Sequence, residues 1–170
     1  VIIEMPNPTD LSDPYYMLYD VGPGCKDDIE SIIPDTQPID LMVLSHNDSD
    51  HISNADNILG EYDVQTVIWS GFERPGIGAW DDLNTAINNE VSAKVVNLAH
   101  DTLQIGTTWQ YGNTYVTFVS GYSVPPTDWG FTPSMESEYR NAGSIVVRVV
   151  HEGKSLLLVG DMIGRLEVPS

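Results

Sequence analysis

The chain has 170 residues, 41% of them hydrophobic, with 25 acidic side chains against 7 basic ones and a formal net charge of −18. That length suits one packed domain, taken here as residues 1–170, rather than two ordinary ones. No run of about 18 apolar residues occurs, so no segment is expected to insert into a membrane. So acidic a field repels long duplex DNA and offers no basic stripe to hold it. The single cysteine, Cys25, excludes an internal disulfide framework and a cysteine-rich zinc site.

The pattern changes every 10 to 15 residues or so, as in a mixed α and β domain. "VIIEM" and "YYMLYDVG" are strand-like and are separated by the turn cluster "PNPTDLSDP". The opening residues lack the basic and apolar segments of a signal peptide. "CKDDIESII" is a short helix candidate ended by Pro34, and "IDLMVLSH" is an apolar run of buried-strand type. A helix over 50–60 follows, with Ile52, Ala55, Ile58 and Leu59 on one face and Gly60 as its stop. "VQTVIWS" is again a strand, and a polar-faced helix covers 80–92. Four β-like runs complete the chain: "DTLQIGTTWQYG", "TYVTFVS", "GSIVVRVVHEG" and "KSLLLVGDM", with "HEGK" a turn of hairpin length. Two irregular segments remain, 70–78 and 121–143, and a loop as long as the second is usually functional.

The densest motif is "SHNDSDH", which places His46, Asp48, Asp50 and His51 between a strand end and a helix start. In extended chain His46, Asp48 and Asp50 project to one side and His51 elsewhere, giving two neighbouring sets of donors. The alternative is that Asp48, Ser49 and Asp50 cap the helix. A calcium loop is excluded, because its glycine and terminal glutamate are absent from their fixed offsets. Asp20 and Asp161 each end another apolar strand, where a carboxylate is costly unless it is paired, hydrogen-bonded or on a metal. Three acidic motifs at strand ends, one with two histidines, favour metal over capping.

In their order D-x-G, H-x-D-x-D-H, N-A-G-S-hydrophobic and G-D, these motifs resemble the metallo-β-lactamase fold superfamily. The nearest likeness is to the hydrolase domain of the competence protein ComEC and its stand-alone relatives, over about residues 14–165. The resemblance implies an αββα sandwich with two divalent ions at one edge. It implies that His46 and Asp48 bind one ion, that Asp50 and His51 bind the other, and that Asp161 bridges them. It implies that Asp20 orients the histidines from outside, and it puts Asn141, or else Arg140, near where many relatives supply a further histidine. It also implies a strand and a histidine beyond the G-D motif, where this sequence has only "MIGRLEVPS". The expectation is therefore a truncated fold with one ligand missing.

Two such ions lower the pKa of a shared water, and Asp50 is placed to orient that water. No serine or cysteine nucleophile with a base is visible, so covalent catalysis is not expected. Segments 70–80 and 121–141 would meet substrate, with Arg74 and Arg140 on phosphate and Trp129 stacking on a base. The aromatics Phe72, Trp80, Tyr122, Trp129 and Phe131 could equally pin the loops to the domain. His100 and His151 are expected to be structural or solvated, and Cys25 a small filler. The function expected is hydrolysis of a phosphodiester, small or in single-stranded nucleic acid, with long duplex bound poorly. Hydrolysis of a small ester, lactone or thioester on the same centre is the alternative. A silent domain that binds metal or a partner, or self-associates through an exposed sheet edge, is the other. An oxygen-rich first site favours manganese over zinc. The location would be extracytoplasmic if the chain belongs to a competence-type protein.

Overall fold

The computed structural model describes residues 1–90 and 92–163. Two sheets lie face to face. The first has the order β1 (Ile2–Met5), β2 (Tyr15–Tyr19), β3 (Leu41–Leu44), β4 (Thr66–Trp69) and β5 (Lys94–Asn97). β1 runs antiparallel to β2, and the remaining neighbours are parallel. The second is antiparallel throughout, in the order β6 (Thr108–Tyr111), β7 (Thr114–Ser120), β8 (Val146–His151) and β9 (Lys154–Leu158).

The parallel strands are covered on both faces, which is why "LMVL" of β3 is apolar without alternation. Their inner side chains, Met17, Tyr19, Leu41, Val43 and Ile68, meet Val116, Phe118, Val147 and Val149 of the second sheet. Their outer side chains, Leu18, Met42, Leu44, Val67 and Trp69, meet a helical layer. That layer comprises α1 (Lys26–Ile32), α2 (Ser49–Ile52), α3 (Ala55–Glu61) and α4 (Gly78–Asn89), which contribute Ile29, Ile52, Ile58, Trp80, Leu83 and Ile87. Among the described residues three layers of the sandwich are thus built, and the outer face of the second sheet exposes Tyr115 and Leu157.

Three expectations need correction, and one strand is added. The helix over 50–60 is two helices, because Asn54 is turned aside between them. Its N–H donates to Val21 O at 2.9 Å and its Nδ2 to Gly22 O at 2.6 Å. Residues 94–97 form a strand that completes the first sheet. Segment 121–143 is not structureless: it holds two 3-10 turns and α5 (Ser137–Ala142). Trp80 is buried in the helical layer, so it belongs to the core and not to a substrate surface. The "HEGK" turn has φ +47° at Glu152 and +77° at Gly153, the left-handed pair that a two-residue hairpin needs.

Candidate metal centre

The chemistry collects at the carboxyl ends of the parallel strands, where open α/β sheets place ligands. β2 is followed directly by Asp20, whose φ of +56° is a left-handed conformation that costs a non-glycine residue energy. Ser45 and His46 come directly after β3, and α2 carries Asp50 and His51. Asp161 arrives from the opposite sheet, just after β9.

Asp20 organises these groups. Its Oδ1 accepts the Ser45 N–H at 2.7 Å, and its Oδ2 accepts the Ser45 hydroxyl at 2.8 Å and His51 Nδ1–H at 2.8 Å. Since the Ser45 hydroxyl proton is directed to Asp20, its oxygen accepts from His46 Nδ1, 3.0 Å away. Both rings are thereby fixed as the tautomer whose Nε2 lone pair is unprotonated. The ring centroids lie 4.1 Å apart. His46 Nε2 is buried and has no hydrogen-bond partner, which is costly unless something else occupies that lone pair. One donor atom each from His46, His51 and Asp161 fall within 4.8 Å of one another. His51 Nε2 is 3.4 Å from Asp161 Oδ1. Burial holds the His46 pKa below the usual histidine value, whereas the hydrogen bond to Asp20 raises that of His51.

Two motif glycines let the strands close in. A Cβ on Gly22 would lie 1.8 Å from Asp50 O, and one on Gly160 would lie 2.6 Å from Ser45 Oγ. The D-x-G and G-D motifs therefore each combine a carboxylate with the bare backbone that its approach requires.

The remaining site residues fall as follows. Asp50 is exposed, and its Oδ2 is 3.7 Å from His51 Nε2; it lies in a helix and not in extended chain beside Asp48. Asp48 occupies the cap position of α2 but makes no capping hydrogen bond, so the capping alternative fails for it. Its Oδ2 is 3.8 Å from His46 Nε2, and its Oδ1 accepts from Arg74 Nη1 at 2.8 Å and Arg140 Nε at 2.5 Å. It lies outside the cluster that His46, His51 and Asp161 form. Asn141 sits on α5 with its Oδ1 buried and without a hydrogen-bond partner. Trp129 is half-exposed, edge-on to Tyr122 at 5.2 Å. Phe72, by contrast, packs with Phe131 and Tyr139, pinning the two loops together. His100 is exposed and His151 is bound to Thr114 Oγ1 at 2.8 Å; neither joins the cluster. Sequence reasoning missed the relay through Ser45, although a serine directly before a strand-end histidine was a usable signal.

Two facing sheets with histidines and carboxylates gathered at their strand ends define a metal-site scaffold. A model of the metallo-beta-lactamase superfamily matches residues 14–170, and the chain belongs to that superfamily, whose members are generally metal-dependent hydrolases. Similar solved structures include the metallo-beta-lactamase fold protein YhfI from Bacillus subtilis, at 14% identity and TM-score 0.52, covering 85% of this chain and 50% of that one. A metallo-beta-lactamase from Cronobacter sakazakii is similar at 17% identity and TM-score 0.52, covering 93% of this chain and 54% of that one. The chain thus spans about half the length of these two structures. No curated protein matches it. At such identities the likeness is one of fold.

The residues fit a divalent cation. The buried, unpartnered His46 Nε2 faces a second imidazole and a carboxylate, a donor set suited to zinc, iron or manganese.

Proposed function

We propose that this chain carries the metal centre of a hydrolase acting on phosphodiester bonds, of the competence-protein kind. His46, His51 and Asp161 would hold the ion, and Asp50 would orient water beside it. A divalent ion there would make water more acidic and stabilise negative charge developing on the scissile group. The observation that carries the phosphodiester assignment is the convergence of Arg74 and Arg140 beside the cluster. The chain has only 7 basic residues, and two of them, from segment 70–78 and from α5, meet at one carboxylate oxygen. Each spends part of its five-donor fork on protein acceptors, which leaves donors for a phosphate oxygen. Trp129, half-exposed on the same long segment, offers a face for a base.

The net charge of −18 favours a small phosphodiester or a single strand over long duplex. Manganese is proposed over zinc, because the exposed carboxylates of Asp50 and Asp161 put oxygen donors beside the imidazoles. The test is hydrolysis of a bis-aryl phosphodiester and of an aryl ester, with metal content measured on the same sample. Phosphodiester cleavage that depends on manganese supports the proposal. Cleavage of the ester alone assigns the centre to small esters, and a metal-loaded but inert protein assigns the chain to metal or partner binding.

A further inference from the structure

We infer that Arg74 and Arg140 occupy, with their guanidinium groups, the place of one of two metal ions, so that the centre takes a single divalent ion. This rests on the cluster being a metal site. The resemblance assigns Asp48 to the first ion together with His46. In the structure that carboxylate is already committed: one oxygen accepts from Arg74 Nη1 at 2.8 Å and Arg140 Nε at 2.5 Å. Neither guanidinium is a passing surface contact. The side chains are only 20% and 11% exposed, and that of Asp48 is 19% exposed. Each arginine is also held from elsewhere, Arg74 by donating to Asn47 O at 3.1 Å and Arg140 by donating to Ser137 Oγ at 3.1 Å. A carboxylate shared by two cations is a poor donor to a third. An ion on Asp48 would also sit against two positive charges that water screens little at this burial.

The two guanidinium groups hold Asp48 by Oδ1, and its Oδ2 lies 3.8 Å from the unpartnered His46 Nε2. That nitrogen faces His51 and Asp161 within 4.8 Å, and Asp48 is not in that group. Three carboxylates, Asp20, Asp50 and Asp161, surround the histidines. One divalent ion offsets most of that charge, and the arginines more than offset Asp48. The site is balanced with one ion and over-supplied with two.

Manganese alone is the probe, titrated into the 170-residue chain by calorimetry and followed by native mass spectrometry and electron paramagnetic resonance. The expected result is one equivalent per chain with the six-line signal of an isolated ion. Asp48→Asn should keep that equivalent with affinity within about threefold, well short of the tenfold or more that losing a ligand or a partner that orients one costs. The double variant Arg74→Gln/Arg140→Gln frees Asp48 and should take a second equivalent, with the signal of a coupled pair. Two equivalents and a coupled signal in the unaltered chain overturn the inference. So does a loss of about tenfold or more in Asp48→Asn, or a double variant that still takes one ion. A chain that binds no manganese, zinc or iron overturns the metal centre itself, a distinguishable failure.

Discussion

Asp20 Oδ2 accepts His51 Nδ1–H at 2.8 Å, and the same carboxylate reaches His46 through the Ser45 hydroxyl. One carboxylate thus aims both imidazoles. Asp20→Asn keeps the shape but can no longer accept from every one of these donors, so the rings lose their fixed tautomers. Manganese affinity should fall by about 10- to 100-fold, the usual cost of losing a partner that orients ligands. Calorimetric titration measures it, and unchanged affinity would remove Asp20 from this role.

Divalent ions should stabilise the folded chain. Asp50 and Asp161 lie 3.7 and 3.4 Å from His51 Nε2, so an ion held there would meet two carboxylates that gain a cation on binding. An ion at 100 times its dissociation constant adds about 2.7 kcal/mol. Thermal melts with manganese and after EDTA treatment should differ by several degrees. Coincident melts would show that no ion binds the native state preferentially.

Gly22→Ala should be among the most harmful small substitutions in the chain. The added methyl would lie 1.8 Å from Asp50 O, which is backbone and cannot step aside as a flexible side chain would. The segment carrying Asp50 and His51 has to move, at about 1–3 kcal/mol. Urea melts should show that loss, and metal affinity should fall with it. Gly24→Ala is the control for a neighbouring left-handed glycine: it meets nothing within 4 Å and should perturb metal affinity little.

Cys25 should be slow to alkylate. It is half-buried beside Asn54, and burial raises its thiol pKa above the ordinary value. The reactive thiolate is correspondingly scarce at neutral pH. Its rate with iodoacetamide in the native chain should be at least about tenfold below that in urea. Equal rates would place the thiol in solvent.

Much of the site was legible because strand-end carboxylates are conspicuous. Asp20, His46, His51 and Asp161 each follow an apolar run or start a helix, so local pattern found them. The partners of Asp48 were not legible. Arg74 and Arg140 lie 26 and 92 residues away in sequence, and the packing of Phe72 against Phe131 and Tyr139 brings segment 70–78 and α5 together. The break at Asn54 was hidden for a similar reason: the apolar spacing of Ile52, Ala55 and Ile58 suits one helix, but Val21 and Gly22 capture Asn54 from another strand's end. β5 escaped because "KVVN" is four residues long and exposed at its start, too short for alternation to register.

The two sheets are stitched together at the histidines themselves. Tyr19 Oη donates to Ile145 O at 2.6 Å, Ile145 N donates to Ser45 O at 2.8 Å, and Gly160 presses on Ser45. His46 and His51 ride with one sheet and Asp161 with the other. An ion between them is then a rivet across the sandwich, and its affinity gauges how well the sheets are docked. Val147, buried between the sheets, offers the means to see this. Val147→Ala alters no ionisable group, yet by loosening the inter-sheet core it should weaken manganese binding along with folding stability.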